Sequence, residues 1–256
     1  MKLIRYGITL KRITEDDLEL LRGWRNSDHV SRFMEYREYI TSEMQKKWFN
    51  TINNPDNYYY IIIYKGEKVG VINEKGFDSG RGTTESGLFL ASEKYVGTHV
   101  PVLASLILLE MSYYFMGGTD SYIRVLRNNS AAISYNTSLG YELCEGQEDV
   151  ENQLYKLTRE TFIDKTYKIR KAAQQVSGGN PNYEIVWEPG DYAIGLAQES
   201  EELFKKGPIR FLDRWENDCH IFYYPVDLDN PPFNDVEPYE VSPHKYYEKL
   251  KNKISR

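Results

Sequence analysis

The stretch ASEKYVGTHVP, residues 91–101, places Gly97 between a strand-like run and a long apolar segment. A strand that releases the chain into a helix leaves backbone N–H groups unpaired and turns the positive end of the helix dipole outward. A glycine there lets several donors converge on a phosphate or diphosphate with no Cβ in the way. The same glycine, taken alone, also suits an ordinary connection. Two neighbours bear on the cradle. Pro101 removes one N–H from the first helical turn. His99 either donates to a phosphate when protonated or points to solvent, and the solvent reading is the favoured one. Lys94 reads as a solvated residue rather than a phosphate ligand.

Other chemistry-bearing residues are sparse. Cys144 and Cys219 show no CxxC or Cys/His clustering, so neither a zinc site nor a disulfide framework is expected, and both read as free thiols. The segment DLDNPPFND, residues 227–235, has three aspartates but lacks the glycine and distal glutamate of a calcium loop, and reads as a turn-rich connector. His220 and His244 have no partner geometry legible from sequence.

The elements that must position Gly97 follow from periodicity. Residues 3–13 roughly alternate, as an opening strand does. Thr14 then caps a helix carrying Leu18, Leu21 and Trp24 on one face, and Thr41 caps a second with Met44, Trp48 and Ile52 at helical spacing. Residues 58–64 (YYYIIIY) and 69–73 (VGVIN) form a hairpin across KGEK, and 85–90 (ESGLFL) a third strand. The apolar run 97–116 reads as a buried helix closed by Gly117 and Gly118, followed by strand 121–126, a short helix over 129–139 with Gly140 at its C-terminal cap, and a further strand from 141. Residues 158–176 are polar and helix-prone, SGGNPN (177–182) reads as a linker, and a second α+β unit over 183–256 contains strands near 183–187 and 220–226 and a closing helix near 244–254.

Composition bounds the classes. In 256 residues, 41% are hydrophobic and 27% charged, which excludes disorder and fibrous repeats. A net charge of −6 argues against wholesale nucleic-acid binding. No apolar run approaches the roughly 20 residues of a membrane span, and the first residues have no secretion-signal pattern, so a cytoplasmic protein is expected. The 22 tyrosines suit half-buried strands and amphipathic core packing.

Over residues 3–157 the order of elements and two motifs resemble the GNAT superfamily of acyl-coenzyme A N-acyltransferases. Lys94-x-x-Gly97-x-His99 stands where that family has its diphosphate loop, and Asn129-x-x-Ala132 through Leu139-Gly140-Tyr141 is similar to its second motif. The resemblance implies a mixed, mostly antiparallel α+β sheet flanked by helices, here followed by a smaller C-terminal α+β domain. It implies acetyl-CoA as co-substrate, held by Leu88, Phe89 and Leu90 through their backbone, by Val96, Gly97, Thr98 and His99 at the diphosphate, and by Asn129. Trp24-Arg25-Asn26, Met34, Gln45-x-x-Trp48 and Glu85-x-Gly87-Leu88 look like the branch that acetylates nucleotide-linked amino sugars and, more loosely, the ribosomal-protein branch.

By this resemblance Glu85 takes the proton of a small-molecule amine, unless it is a solvated edge residue, while Trp24, Met34 and Trp48 wall the acceptor or pack the core and Arg25 and Asn26 contact it. The family's usual tyrosine acid is replaced by Asn136, with Tyr135 beside it as a candidate acid or a packing residue. No metal is required. The alternatives are a protein N-terminal acetyltransferase and a GNAT-like binding module without turnover. The C-terminal unit either caps the acceptor site, makes a homodimer or binds a partner.

Overall fold

Tyr6 and Gly7 take φ of 51° and 74°, so the opening segment, expected as one strand, is a tight hairpin of β1 (Lys2–Arg5) and β2 (Ile8–Arg12). Alternation alone does not disclose a turn when the turn residue itself is a buried aromatic. Our computed structural model describes residues 1–78 and 83–233; the closing helix expected near 244–254, His244 and the end of the 227–235 segment lie outside the described residues. Thr14 and Asp17 form a reciprocal cap ahead of α1 (Leu18–Arg25), which is followed by the single turn α2 (Asp28–Ser31). Thr41 accepts from the Met44 N–H at 3.2 Å and starts α3 (Ser42–Ile52).

Hairpin β3 (Asn57–Tyr64) and β4 (Glu67–Asp78) follows, then β5 (Thr83–Leu90). The apolar helix α4 (His99–Glu110) runs on into a π-helical turn at Met111–Phe115, where the Met116 N–H bonds the Met111 carbonyl. Next come β6 (Asp120–Leu126), α5 (Ser130–Leu139), β7 (Glu142–Leu143), β8 (Asn152–Thr158) and α6 (Arg159–Val176). The chain continues with β9 (Asn182–Trp187), α7 (Pro189–Ala193), α8 (Leu196–Lys206), β10 (Leu212–Glu216) and β11 (Cys219–Pro225). Strand β10, all of it exposed, has no apolar alternation and gave no sequence signal.

The eleven strands of the described residues join one sheet in the order β10-β11-β9-β1-β2-β3-β4-β5-β6-β8-β7, antiparallel throughout except for β5 beside β6. The mostly antiparallel α+β sheet flanked by helices is the expected one. Past the expected 177–182 linker, β9 pairs with β1 through Lys2↔Val186 and Ile4↔Glu184, so the described part of the C-terminal segment widens the same sheet and its buried side chains join the same core. A Gly-rich connector marks a turn in the path of the chain, and whether a new core begins after it depends on which strand edge is left unpaired.

Packing explains this attachment. Arg5 Nε lies 3.0 Å from Glu110 Oε2 with both side chains fully buried, and the Tyr6 hydroxyl donates to Glu110 at 2.7 Å. Arg170, equally buried on α6, bonds the Tyr114 hydroxyl, Thr166 Oγ1 and the Ile163 carbonyl. Tyr183 on β9 donates to the Ile107 carbonyl at 2.7 Å, and Tyr113 to that of Leu157 at 2.9 Å. The many tyrosines thus serve a core that needs apolar bulk with one hydrogen bond at the tip. On the other face, Ile13, Leu18, Leu21, Phe49, Ile52, Ile61 and Val71 form a smaller core beneath α1 and α3.

Candidate active site

Strands β5 and β6 pair in parallel from Thr83↔Asp120 to Ser86↔Ile123 and then part. Beyond that point β5 stays bonded to β4 on one side, Leu88 opposite Ile72 and Leu90 opposite Gly70, while its other edge faces a cleft of about 1610 Å³. Leu88, Phe89 and Leu90 line this cleft, as do Val96, Gly97, Thr98 and Asn129. An unpaired strand edge inside a wedge offers backbone donors and acceptors to an extended ligand, as a missing strand would.

The far end of the wedge meets the start of α4. Gly97 has φ +73°, a left-handed conformation, and open space where a Cβ would be. Thr98 caps the helix, its Oγ1 accepting from the Val100 N–H at 3.3 Å and donating to the Tyr95 carbonyl at 2.7 Å. With Val100 capped and Pro101 lacking an N–H, Gly97 and His99 keep backbone donors that take no backbone acceptor among the described residues. Of these, Gly97 lines the cleft and its main chain fits a phosphate, whereas the Thr98 N–H bonds the Tyr95 carbonyl at 3.3 Å. His99 is exposed, as favoured, with its Nε2 3.1 Å from the Tyr64 hydroxyl and the two rings edge to face, and it does not line the cleft. Lys94 pairs with Glu67 at 3.1 Å. Asn129 caps α5, accepting from the Ala132 N–H at 3.1 Å.

Both candidate catalytic residues line the cleft. Glu85 lines the cleft on β5, its carboxylate 2.7 Å from Lys75 Nζ and 36% exposed. The Tyr135 hydroxyl donates to the Pro101 carbonyl at 3.1 Å and touches Ser105 Oγ, so it ties α5 to α4, and burial pushes its pKa well up. That geometry engages the hydroxyl in the packing of the two helices at the cleft wall. Asn136 bonds back to the Ala132 carbonyl at 2.8 Å.

Among the acceptor residues, Arg25, Met34 and Trp48 line the cleft, whereas Trp24 and Asn26 do not. Trp24 packs edge-on to Phe89 with ring centres 6.5 Å apart. Asn26 holds the loop before α3, its amide donating to the Ile40 carbonyl at 2.9 Å and its Oδ1 accepting from the Ile40 N–H at 2.8 Å. The polar contact expected of Asn26 is spent inside the protein.

Two features escaped sequence reasoning. Tyr59, edge-on to Trp48 at 5.3 Å, has its pKa raised by burial and by Glu85 and lowered by Arg25, so its hydroxyl lies in the field of both charges. The alternation in YYYIIIY could have placed it on the α3 face. The second is buried: Ser86 Oγ lies 2.9 Å from Ser121 Oγ, which lies 2.7 Å from the Tyr141 hydroxyl lining the cleft. Behind Ser86 sits Glu74, fully buried, its Oε1 without a hydrogen-bond partner. Burial pushes Glu74 up to about 8, against the downward pull of the Ser86, Thr84 and Ser112 hydroxyls, so it is mostly protonated at neutral pH.

The parallel strand pair thus opens into a wedge with a glycine loop and a helix start at its mouth. The acetyltransferase (GNAT) domain family model matches residues 8–142, and the chain belongs to the GNAT acetyltransferase family. No curated protein sequence matches the chain.

Solved structures similar to it include apo FdhC, described as a nucleotide-linked sugar GNAT (21% identity, TM-score 0.56, 68% of this chain and 97% of that one). Spermidine N-acetyltransferase from Vibrio cholerae, solved with CoA and spermine, is 12% identical with a TM-score of 0.55, covering 62% of this chain and 99% of that one. The aminoglycoside acetyltransferase AAC(6')-Ib, solved with coenzyme A and kanamycin, is 20% identical with a TM-score of 0.52, covering 60% and 96%. At these identities the likeness is one of fold. Among the described residues no group of three or more His, Cys, Asp or Glu could hold a metal, and no helix is long and apolar enough to cross a membrane.

Proposed function

We propose that this protein moves an acetyl group from acetyl-CoA to the primary amine of a nucleotide-linked amino sugar. The observation that carries the acetyl-CoA half is the parting of β5 from β6 after Ser86 and Ile123, opposite the Gly97 loop. The open edge of Leu88 to Leu90 suits the amide-bearing arm of the donor, and the Gly97 main chain at the start of α4 suits its diphosphate. Acetyl-CoA supplies an acetyl group already activated as a thioester. The presence of a nucleotide-linked sugar GNAT among the structural relatives supports the acceptor class.

In the transfer the amine loses a proton, its nitrogen bonds to the acetyl carbon, the carbon–sulfur bond breaks, and the sulfur regains a proton. Glu85 receives the first proton: it lies in the cleft on the strand whose edge holds the thioester arm. Lys75 Nζ, 2.7 Å away, is the counter-charge that the incoming ammonium displaces. Backbone N–H groups of the open β5 edge polarise the acetyl carbonyl. A thiol is acidic enough to leave as thiolate and be protonated from water, so the reaction does not depend on Tyr135.

Isothermal titration with acetyl-CoA, followed by thiol release on a panel of UDP- and dTDP-linked amino sugars, tests the reading. Binding and release on at least one panel member are expected. Binding with no release on any panel member would overturn the assignment and leave a binding module.

A further inference from the structure

Among the charged residues that line the cleft, Arg25 stands apart by a buried Nε without a hydrogen-bond partner. Glu85 meets Lys75 at 2.7 Å, and Glu93 meets Arg32 at 3.3 Å and His29 at 3.1 Å. Arg25 has no carboxylate within ion-pair distance and no aromatic ring beneath its guanidinium among the described residues. The side chain is half-buried, its Nε buried without a hydrogen-bond partner, and a bond runs from Nη2 to the Tyr36 carbonyl at 3.4 Å, in a cleft that Leu21, Trp48, Tyr59 and Val71 also line. A guanidinium cannot shed its proton in a protein, so burial leaves it charged and short of acceptors. Such a group is destabilising unless something else brings the counter-charge.

We propose that Arg25 binds an anionic group of the acceptor, a phosphate or a carboxylate, so that the acceptor is an amine that also carries negative charge. The inference rests on the acetyl-transfer reading for where the amine lies, and on Arg25 itself for the anion. Glu85 and Arg25 both act on the Tyr59 hydroxyl. An acceptor with its amine against the carboxylate and its anion against the guanidinium therefore spans that hydroxyl. The fork of Arg25 matches a phosphate or carboxylate bidentately. Polycations such as kanamycin and spermine, which two of the structural relatives were solved with, would meet a like charge here.

The test uses the full chain saturated with CoA, so that the diphosphate loop is occupied. UDP, uridine, glutamate and glutamine amide are titrated calorimetrically into wild type, Arg25→Gln and Arg25→Lys, at low and high salt. UDP should bind, uridine at least tenfold more weakly, and Arg25→Gln should lose about ten- to a hundredfold in UDP affinity while Arg25→Lys keeps part of it. Arg25-dependent binding of glutamate in place of UDP supports the anion subsite with a carboxylate as its source, and counts against the nucleotide reading alone.

A melting readout separates binding from folding: replacing a half-buried cation that lacks a counter-charge should hold or raise Tm, whereas a structural arginine would lower it on removal. Equal affinity of Arg25→Gln and wild type for both anions overturns the inference. So does acetylation of glucosamine, kanamycin or spermine at the rate of UDP-glucosamine, an outcome that leaves acetyl transfer itself intact.

Discussion

Replacing Glu74 with glutamine should make the protein more stable, and increasingly so as pH rises. In the folded chain the Glu74 carboxyl is fully buried with no cation beside it and titrates at about 8, against an ordinary value of 4.5. Between those two values the unfolded chain has released the proton and the folded one still holds it. Stability therefore falls with pH, at about 1.4 kcal/mol per unit for this one group. Its contribution is fully present below pH 4.5 and is lost as pH rises through 8. Over the whole window the loss is about 4–5 kcal/mol, with roughly 3 kcal/mol of it already incurred at pH 7.

Glutamine keeps the shape and the hydrogen-bonding reach toward Ser86 and Ser112 but cannot ionise. Urea unfolding of wild type and Glu74→Gln at half-unit steps from pH 5 to 9 should give curves that coincide at the acid end and diverge by several kcal/mol at the alkaline end. Parallel curves, or a glutamine variant less stable at pH 8.5, would refute the reasoning, because they would mean the carboxylate finds compensation that the burial of Oε1 denies it.

Glu85→Gln should lower kcat by about a hundredfold or more with the KM for acetyl-CoA unchanged, which steady-state thiol release will show. Tyr135→Phe, by contrast, should leave kcat within about threefold, since its hydroxyl is engaged by Pro101 and Ser105; a fall of a hundredfold would restore it as the acid. Gly97→Val should cost about 1–2 kcal/mol through the left-handed φ alone, the space around it being open, and should weaken CoA binding in calorimetry as the loop relaxes. Arg5→Met should destabilise by roughly 3–5 kcal/mol in urea, while the double variant Arg5→Met, Glu110→Met should recover most of that loss.

Periodicity and caps made the first half of the fold legible. Thr14, Thr41, Thr98, Asn129 and Gly140 all terminate helices, because each satisfies orphan backbone groups by local chemistry. The place of the wedge was readable too, from Gly97 and the Asn129 to Gly140 motif. What remained hidden depends on partners far along the chain. Nothing local tells Asn26, which staples Ile40, from Arg25 next to it, which faces the cleft. Tyr135 and Tyr141 differ only in which hydroxyl lies across the fold from each. The joining of β9 to β1 was illegible because the pairing edge belongs to a strand about 180 residues away.

That joining has a consequence for how the polypeptide is made. Strand β1 emerges from the ribosome with one margin already satisfied by β2 and the other bare until β9 arrives. At about 5–20 residues per second the wait is on the order of 10–40 s. Throughout it the nascent chain presents an open row of amides and carbonyls to any neighbouring polysome product. A version ending after α6 would keep that margin exposed for life, and its aggregation would be quenched by supplying the missing strand as a peptide.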